Sequence, residues 1–179
     1  MVKITEKLKK NIVVTENFPK KGILFQDTFS ITKDPELFKS LIKDISKIVK
    51  EYKITKVIGI ESRGFVFGTA VSFNCNVPFI PIRKANKLPG KILSQKYKLE
   101  YGHDEIQIQH NSIQKKDKLL VIDDLIATGG TALASLKLLK KLNNNKLIFI
   151  FVVNLKNLNG VKKLISNKAT VITYLDTDG

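Results

Sequence analysis

Cysteine, tryptophan and long apolar runs are scarce in this 179-residue sequence, which has one cysteine and no tryptophan. The lone Cys75 excludes an internal disulfide framework, is typical of a reducing compartment and is expected to be structural. No apolar run approaches the roughly 20 residues of a membrane helix, and the lysine-rich first ten residues lack the apolar segment of a secretory signal. The sequence therefore predicts a cytoplasmic protein without a membrane partner.

Acidic residues are also few, with 16 Asp and Glu against 31 Lys and Arg and a net charge of +15. A positive balance of this size is a feature of proteins that bind nucleic acids. Here the basic residues are spread from end to end, without a basic arm, a basic-aromatic alternation or a helix-turn-helix pattern. We therefore expect no nucleic-acid partner, although the charge would attract a small polyanionic substrate.

The hydrophobic pattern predicts an α/β fold, a parallel sheet with helices on both faces. Asp34 and Pro35 are typical of a helix start, and apolar residues recur at helical spacing from 37 to 49. The uninterrupted apolar run 119–122 is typical of a strand inside a parallel sheet, and residues 146–153 are predicted to form another buried strand. Further strands are predicted at 56–60, 79–82 and 169–174, and further helices at 65–73 and 133–142.

Domain organisation follows from the same pattern. One core is predicted over residues 35–179, and residues 1–34 are expected to form an arm and a small hood, with a short helix followed by a loop. Residues 92–100 and 105–110 predict a β-hairpin inserted in a flexible loop over 84–110.

The most informative stretch reads VIDDLIATGGT, from Val121 to Thr131. A buried strand ends in two acidic residues, and a turn of small residues then opens a helix, whose free backbone amides and positive dipole end bind phosphate. The two carboxylates would repel a phosphate, so they are expected to face ribose hydroxyls or a metal reached through water. Adjacent glycines without a following lysine exclude the dinucleotide fingerprint and the P-loop. The predicted site for a phosphorylated ribose comprises Asp123, Asp124, Ala127, Thr128, Gly129, Gly130 and Thr131.

This stretch resembles the phosphoribosyl pyrophosphate (PRPP) loop of type I phosphoribosyltransferases, and other stretches resemble the adenine phosphoribosyltransferases among them. The likeness runs from about residue 17 to 152. It implies the type I phosphoribosyltransferase fold and a role in purine salvage, in which the phosphoribosyl group of PRPP passes to adenine and gives AMP and pyrophosphate. The matching stretches are the base hood at 18–27, the pyrophosphate loop at 61–65, a second basic segment at 81–91 and the flexible catalytic loop at 97–102.

Pyrophosphate needs permanently charged donors, which favours Arg63 and Arg83, with Lys84 and Lys87 beside them. The resemblance implies that the segment of Arg83 reaches the neighbouring subunit's site, hence a homodimer. It also implies a strained cis peptide bond near Ser62 and Arg63.

The cofactor expected for this chemistry is Mg²⁺. The ion would be held mainly by PRPP and water near Asp123 and Asp124, without a direct protein ligand.

The resemblance implies that Glu100 is the acid/base that takes the proton leaving adenine, and that Tyr101 positions the loop. Closure of residues 84–102 would exclude water from the reaction.

For the base itself, Phe25 is expected to stack on one face and Leu125 or Ile126 to cover the other. The backbone of Leu24 and Gln26 would read the adenine edge; Gln26 stands where the family commonly has arginine.

Two other functions stay open at this stage. One is a transferase for hypoxanthine or xanthine. The other is a non-catalytic regulator that keeps the fold as a PRPP sensor and binds nucleic acid through its positive surface. The intact segment 100–102 and the lack of a DNA-binding domain disfavour the regulator.

Overall fold

The computed structural model describes residues 2–98, 102–142 and 146–178. Its main sheet has seven strands in the order β5-β6-β4-β3-β7-β8-β9. A separate two-stranded sheet, β1-β2, lies near the N-terminus. The strands are β1 (Val13–Glu16), β2 (Leu24–Asp27), β3 (Lys56–Ile60), β4 (Phe79–Lys84), β5 (Ile92–Lys98), β6 (His103–Gln109), β7 (Leu119–Ile126), β8 (Leu147–Leu155) and β9 (Thr170–Thr177).

The core of the sheet is parallel, as predicted. Strand β3 pairs in parallel with β4 and β7, and β7-β8 and β8-β9 are parallel as well. Its apolar strands pack on both faces, because successive side chains of a strand point to opposite sides. In β7, Leu120 and Ile122 belong to one buried cluster, and Leu119 and Val121 to the other.

Helices cover both faces of this sheet, which confirms the predicted layering. Helices α2 and α3 pack in the first cluster with α1, and α4 and α5 in the second. The side chain of Asp34 accepts hydrogen bonds from the amides of Glu36 and Leu37, both at 3.0 Å, so the predicted start of α2 is confirmed. The helices are α1 (Val2–Asn11), α2 (Pro35–Glu51), α3 (Arg63–Cys75), α4 (Gly130–Lys141) and α5 (Gly160–Ser166).

The predicted hairpin forms, but it is part of the main sheet rather than a separate insertion. Strands β5 and β6 pair antiparallel along their length, and β6 also pairs antiparallel with β4. The sheet is therefore mixed, with the hairpin at one edge. Burial explains this arrangement, because Ile106 and Ile108 of β6 are fully buried in the cluster beneath α4.

The N-terminal region is more ordered than the expected arm and loop. Strands β1 and β2 pair antiparallel, and a 3₁₀ helix, Thr28–Lys33, leads from β2 toward α2. Leu8 of α1 is fully buried, so α1 belongs to the core rather than extending as an arm.

Within the three described ranges, no helix is both long and apolar enough to cross a membrane.

Candidate active site

A cavity of about 790 Å³ lies where β7 ends and α4 begins. In open α/β sheets, ligands bind at this carboxyl edge of the strands. The cavity brings together the predicted phosphate-binding turn, one residue of the acidic pair and Arg63. Its lining consists of Arg63, Tyr97, Lys98, Asp123, residues 125–132, Phe151 and Lys163.

The turn before α4 exposes backbone rather than side chains. Gly129 has a φ of +75°, which favours glycine, and a Cβ on it would lie 2.8 Å from the Cα of Gly160. No side chain caps the start of α4 at this residue. The amides of this turn therefore meet the cavity at the positive end of the helix dipole, an arrangement that binds anions.

The two aspartates of β7 have different surroundings. Asp124 is 1% exposed, and its Oδ2 accepts a hydrogen bond from Thr28 Oγ1 at 2.5 Å and pairs with Arg63 Nε at 3.3 Å. Asp123 lines the cavity, and its Oδ1 accepts from the backbone amide of Asp124 at 2.9 Å. Burial, and then the neighbouring charge of Asp124, raise the pKa of Asp123. Asp124 thus binds Thr28 and Arg63 within the protein, whereas Asp123 lines the cavity and is available to a ligand there.

These aspartates lie inside strand β7 rather than after it. The sequence predicted that the strand stops at residue 122, but pairing with β8 continues to Ile126, which lies opposite Asn154. The strand continues because Leu125 and Ile126 are themselves apolar and pack against the two clusters.

The expectation of a cis peptide bond near Ser62 and Arg63 is wrong. Among described residues the only cis bond is Phe18–Pro19. The chain turns from β3 into α3 through Ser62, whose φ is +70° and ψ −91°. The sharp change of direction is thus achieved by an unusual φ at one residue.

The second basic segment is built around a partly buried carboxylate, Glu61. Arg83 donates to both of its oxygens at 2.9 and 3.2 Å, the amide of Lys84 donates at 2.9 Å, and Lys87 Nζ donates at 3.2 Å. Burial opposes ionisation of Glu61, but these hydrogen bonds outweigh it and lower its pKa to about 2. Arg83, Lys84 and Lys87 therefore lie outside the cavity lining, held by an acidic partner.

A second network joins the hairpin to this segment and to the phosphate-binding turn. Lys84 Nζ bonds to Asp104, and the Tyr97 hydroxyl donates to Asp104 at 3.0 Å. The same hydroxyl accepts from Lys84 Nζ and from Thr131 Oγ1, each at 3.3 Å. Tyr97 thus connects three chain segments through one oxygen atom.

The residues predicted to hold a base fall into two groups. Leu125 and Ile126 line the cavity, whereas Leu24, Phe25 and Gln26 of β2 do not. Strand β2 is nevertheless connected to the site, because Thr28, the residue that follows this strand, donates a hydrogen bond to Asp124.

Phe25 packs edge-on against Phe18 at 5.0 Å between ring centroids, and Gln26 is buried. The proposed catalytic residues Glu100 and Tyr101 lie outside the described residues.

Sequence reasoning missed five residues that line the cavity: Tyr97, Lys98, Ala132, Phe151 and Lys163. Tyr97 and Lys98 belong to the stretch that resembles the flexible catalytic loop, and this resemblance is the signal that could have identified them. Lys163 gave no signal, because its helix α5 was not predicted and lies far along the chain from the turn it approaches.

The mixed α/β sheet, the glycine turn at the start of α4 and the acidic pair beside it point to the phosphoribosyltransferase class. The Phosphoribosyl transferase domain model matches residues 28–174. The adenine phosphoribosyltransferase of Actinobacillus succinogenes is 42% identical over 179 residues, covering 100% of this chain and 99% of that protein. The chain belongs to the adenine phosphoribosyltransferase family.

Solved structures agree with this assignment. The Saccharomyces cerevisiae adenine phosphoribosyltransferase, in complex with an imino-altritol bisphosphate and adenine, superposes with a TM-score of 0.91 at 39% identity, over 98% of this chain and 100% of that one. The Trypanosoma brucei enzyme, in complex with AMP, pyrophosphate and ribose-5-phosphate, gives a TM-score of 0.85 at 29% identity, over 97% and 79% of the two chains.

Proposed function

We propose that this protein transfers the phosphoribosyl group of PRPP to adenine, releasing AMP and pyrophosphate, and so serves purine salvage. The observation that carries the proposal is the cavity at the start of α4, where an uncapped phosphate-binding turn lies beside the partly exposed carboxylate of Asp123. Anion donors next to a carboxylate suit a ligand that carries both a phosphate and sugar hydroxyls.

In this mechanism the backbone amides of residues 127–131 and the hydroxyls of Thr128 and Thr131 bind the 5′-phosphate. Asp123 accepts hydrogen bonds from ribose hydroxyls, and these contacts offset its repulsion from Asp124. Holding the sugar at both ends positions its reacting carbon between base and leaving group. Positioning and charge stabilisation then account for most of the acceleration.

Pyrophosphate is proposed to leave toward Arg63, the arginine that lines the cavity. Arg83, Lys84 and Lys87 are held outside this lining by Glu61 and Asp104. We propose that they serve a second copy of the chain, in a homodimer whose subunits complete each other's sites.

Magnesium is the proposed cofactor. Within the described part of the chain, no three His, Cys, Asp or Glu side chains are grouped to hold a metal ion. Asp124 is committed to Thr28 and Arg63, which leaves Asp123 as the carboxylate facing the cavity. This set fits an ion carried mainly by PRPP oxygens and water near Asp123. When bound, the ion neutralises charge on the departing pyrophosphate.

The base is proposed to lie between Phe25 and the apolar pair Leu125 and Ile126. The hydrogen bond from Thr28 to Asp124 supports this placement, because it ties the hood to the sugar site. Glu100 takes the proton released by adenine, and Tyr101 positions the loop. We also place the protein in the cytoplasm, in keeping with the free thiol of Cys75.

The test is an assay of the folded protein with PRPP, Mg²⁺ and an equimolar mixture of adenine, hypoxanthine and xanthine. We expect AMP as the main product. IMP or XMP in excess of AMP would assign a different base. Absence of any nucleotide, together with salt-sensitive binding of nucleic acid, would instead indicate the PRPP-sensing regulator.

A further inference from the structure

Helix α5 brings a cation to the phosphate-binding turn. The helix starts against the turn, since a Cβ on Gly160 would lie 2.3 Å from the carbonyl oxygen of Ala127. Lys163 follows three residues later, on the same face of the helix. Its Nζ donates to the carbonyl oxygen of Thr128 at 2.8 Å, and the residue lines the cavity.

The charge of Lys163 is not neutralised by a carboxylate in the described portion of the chain, whereas Arg63 is paired with Asp124. Residues 127–131 carry no charged side chain, and Asp123 adds a negative group to the cavity. A nearby cation would therefore add to the binding of a dianionic phosphate by the amides of this turn. A lysine ammonium has three N–H donors, and the Thr128 carbonyl occupies one, so two are free for a ligand.

We propose that Lys163 is a direct ligand of the 5′-phosphate, acting from α5 alongside the amides of the turn. The inference rests on the proposed function, which supplies the phosphate. A fixed ammonium favours the fully ionised phosphate, whose second pKa is about 6 in free phosphate esters. Lys163 therefore also lowers the pKa of the bound phosphate and selects phosphorylated over unphosphorylated ligands.

The alternative role for Lys163 is purely structural, a brace that holds the Thr128 carbonyl and the turn in place. If Lys163 were only a brace, its replacement would loosen the turn and change the affinity for AMP, but the pKa of the bound phosphate would stay the same. If Lys163 is a direct ligand, its replacement changes both quantities. The pKa of the bound phosphate therefore separates the two roles.

The experiment compares the full-length wild type with Lys163→Met, Lys163→Arg and Lys162→Met. Lys162 is the matched control, because it lies next in the same helix, carries the same charge and faces a different cavity, beside Asn154 and Asp176. Calorimetry gives the Kd for AMP, and ³¹P NMR at saturating AMP gives the pKa of the bound phosphate. Thermal unfolding verifies that each variant is folded.

We expect Lys163→Met to raise the Kd for AMP about tenfold or more and to raise the pKa of the bound phosphate. Lys163→Arg should recover most of the affinity, and Lys162→Met should stay within about twofold of the wild type. An unchanged Kd, or a raised Kd with an unchanged phosphate pKa, would overturn the role of Lys163 alone. Failure of the wild type to bind AMP would instead defeat the proposed function, and this inference with it.

Discussion

At the residue scale, the adjacent aspartates of β7 show how one dipeptide serves two purposes. Asp124 is buried and satisfied by Thr28 and Arg63, so its charge is compensated within the protein. Asp123 has a raised pKa, which means that its ionised form is disfavoured in the free protein. A ligand that donates hydrogen bonds to Asp123 favours its ionised form and so lowers this cost.

We therefore expect different effects on stability from two matched substitutions. Asp124→Asn removes a buried charge from its arginine partner and should lower the free energy of unfolding by about 1–3 kcal/mol. Asp123→Asn removes a disfavoured charge, so stability should be unchanged or higher, while turnover falls at least about tenfold because charge-assisted bonds to ribose are lost. Urea denaturation and steady-state assays measure both effects. Equal destabilisation by the two variants would contradict the division of roles.

Glu61 gives a pH-dependent prediction. Its folded-state pKa, about 2, is below the ordinary value, so the ionised carboxylate contributes stability above about pH 5 and this contribution disappears as the pH falls toward 2. Glu61→Gln should therefore destabilise the protein by about 2 kcal/mol at pH 7 and progressively less at low pH. Urea denaturation between pH 3 and 7 measures the difference from wild type. The control is Glu51→Gln, at an exposed residue that ends α2; a pH-independent loss in Glu61→Gln would count against the ion-pair account.

At the scale of elements, the β5-β6 hairpin is fixed at its base and connected to the site at its far end. Ile106 and Ile108 hold β6 in the core, and Lys141 Nζ of α4 donates to the carbonyl of Ser94 at 2.7 Å. Toward the tip, the Tyr97 hydroxyl connects β5 with Thr131 of α4. The hairpin is therefore anchored along one face and approaches the phosphate-binding turn through a polar contact, which a ligand phosphate at Thr131 would have to share or replace.

Tyr97→Phe tests this connection. Loss of the hydroxyl removes its contacts with Asp104, Lys84 and Thr131, so amides at the end of β5 should exchange hydrogen faster and the KM for PRPP should rise about three- to tenfold. Hydrogen exchange measured by mass spectrometry and steady-state kinetics are the measurements. Tyr52→Phe, at an exposed tyrosine beside the amino ends of the parallel strands, is the control. Kinetics and exchange equal to wild type would show that Tyr97 does not couple the hairpin to the site.

At the scale of the whole molecule, one exposed aromatic residue bears on the proposed homodimer. Phe73 of α3 is 91% exposed, the largest exposed fraction among the large apolar side chains of the described residues. The same helix carries Phe65, whose ring lies 5.7 Å from the guanidinium carbon of Arg83. The start of α3 therefore lies beside the basic segment proposed to serve the partner subunit, and we propose that a second copy docks along this helix as far as Phe73.

Phe73→Ser should weaken the dimer at least about tenfold, since it removes a large apolar contact from the interface. Sedimentation velocity over a range of protein concentrations measures the dissociation constant. Tyr52→Ser, which removes another exposed aromatic ring away from α3, should leave it unchanged. A wild-type protein that sediments as a monomer, or a Phe73→Ser dimer as stable as the wild type, would refute this interface.

The sequence by itself determined the layered α/β core and the location of the glycine turn that lines the cavity at the start of α4. Both are local properties: the apolar runs of β7 and β8 suit only buried strands, and adjacent glycines before a helix leave the backbone open to an anion. The cap of α2 at Asp34 was readable for the same reason, because a cap and its helix are neighbours in the chain.

Only the tertiary structure decided which side chains share the site. The bond from Thr28 to Asp124 spans 96 residues, and that from Lys163 to Thr128 spans 35, so neither leaves a pattern in a local window of sequence. The grouping of Arg83 and Lys87 around Glu61 likewise depends on how β3 and β4 pair. Long-range partners are set by the packing of elements, and packing brings together residues whose spacing along the chain carries no information about their distance in space.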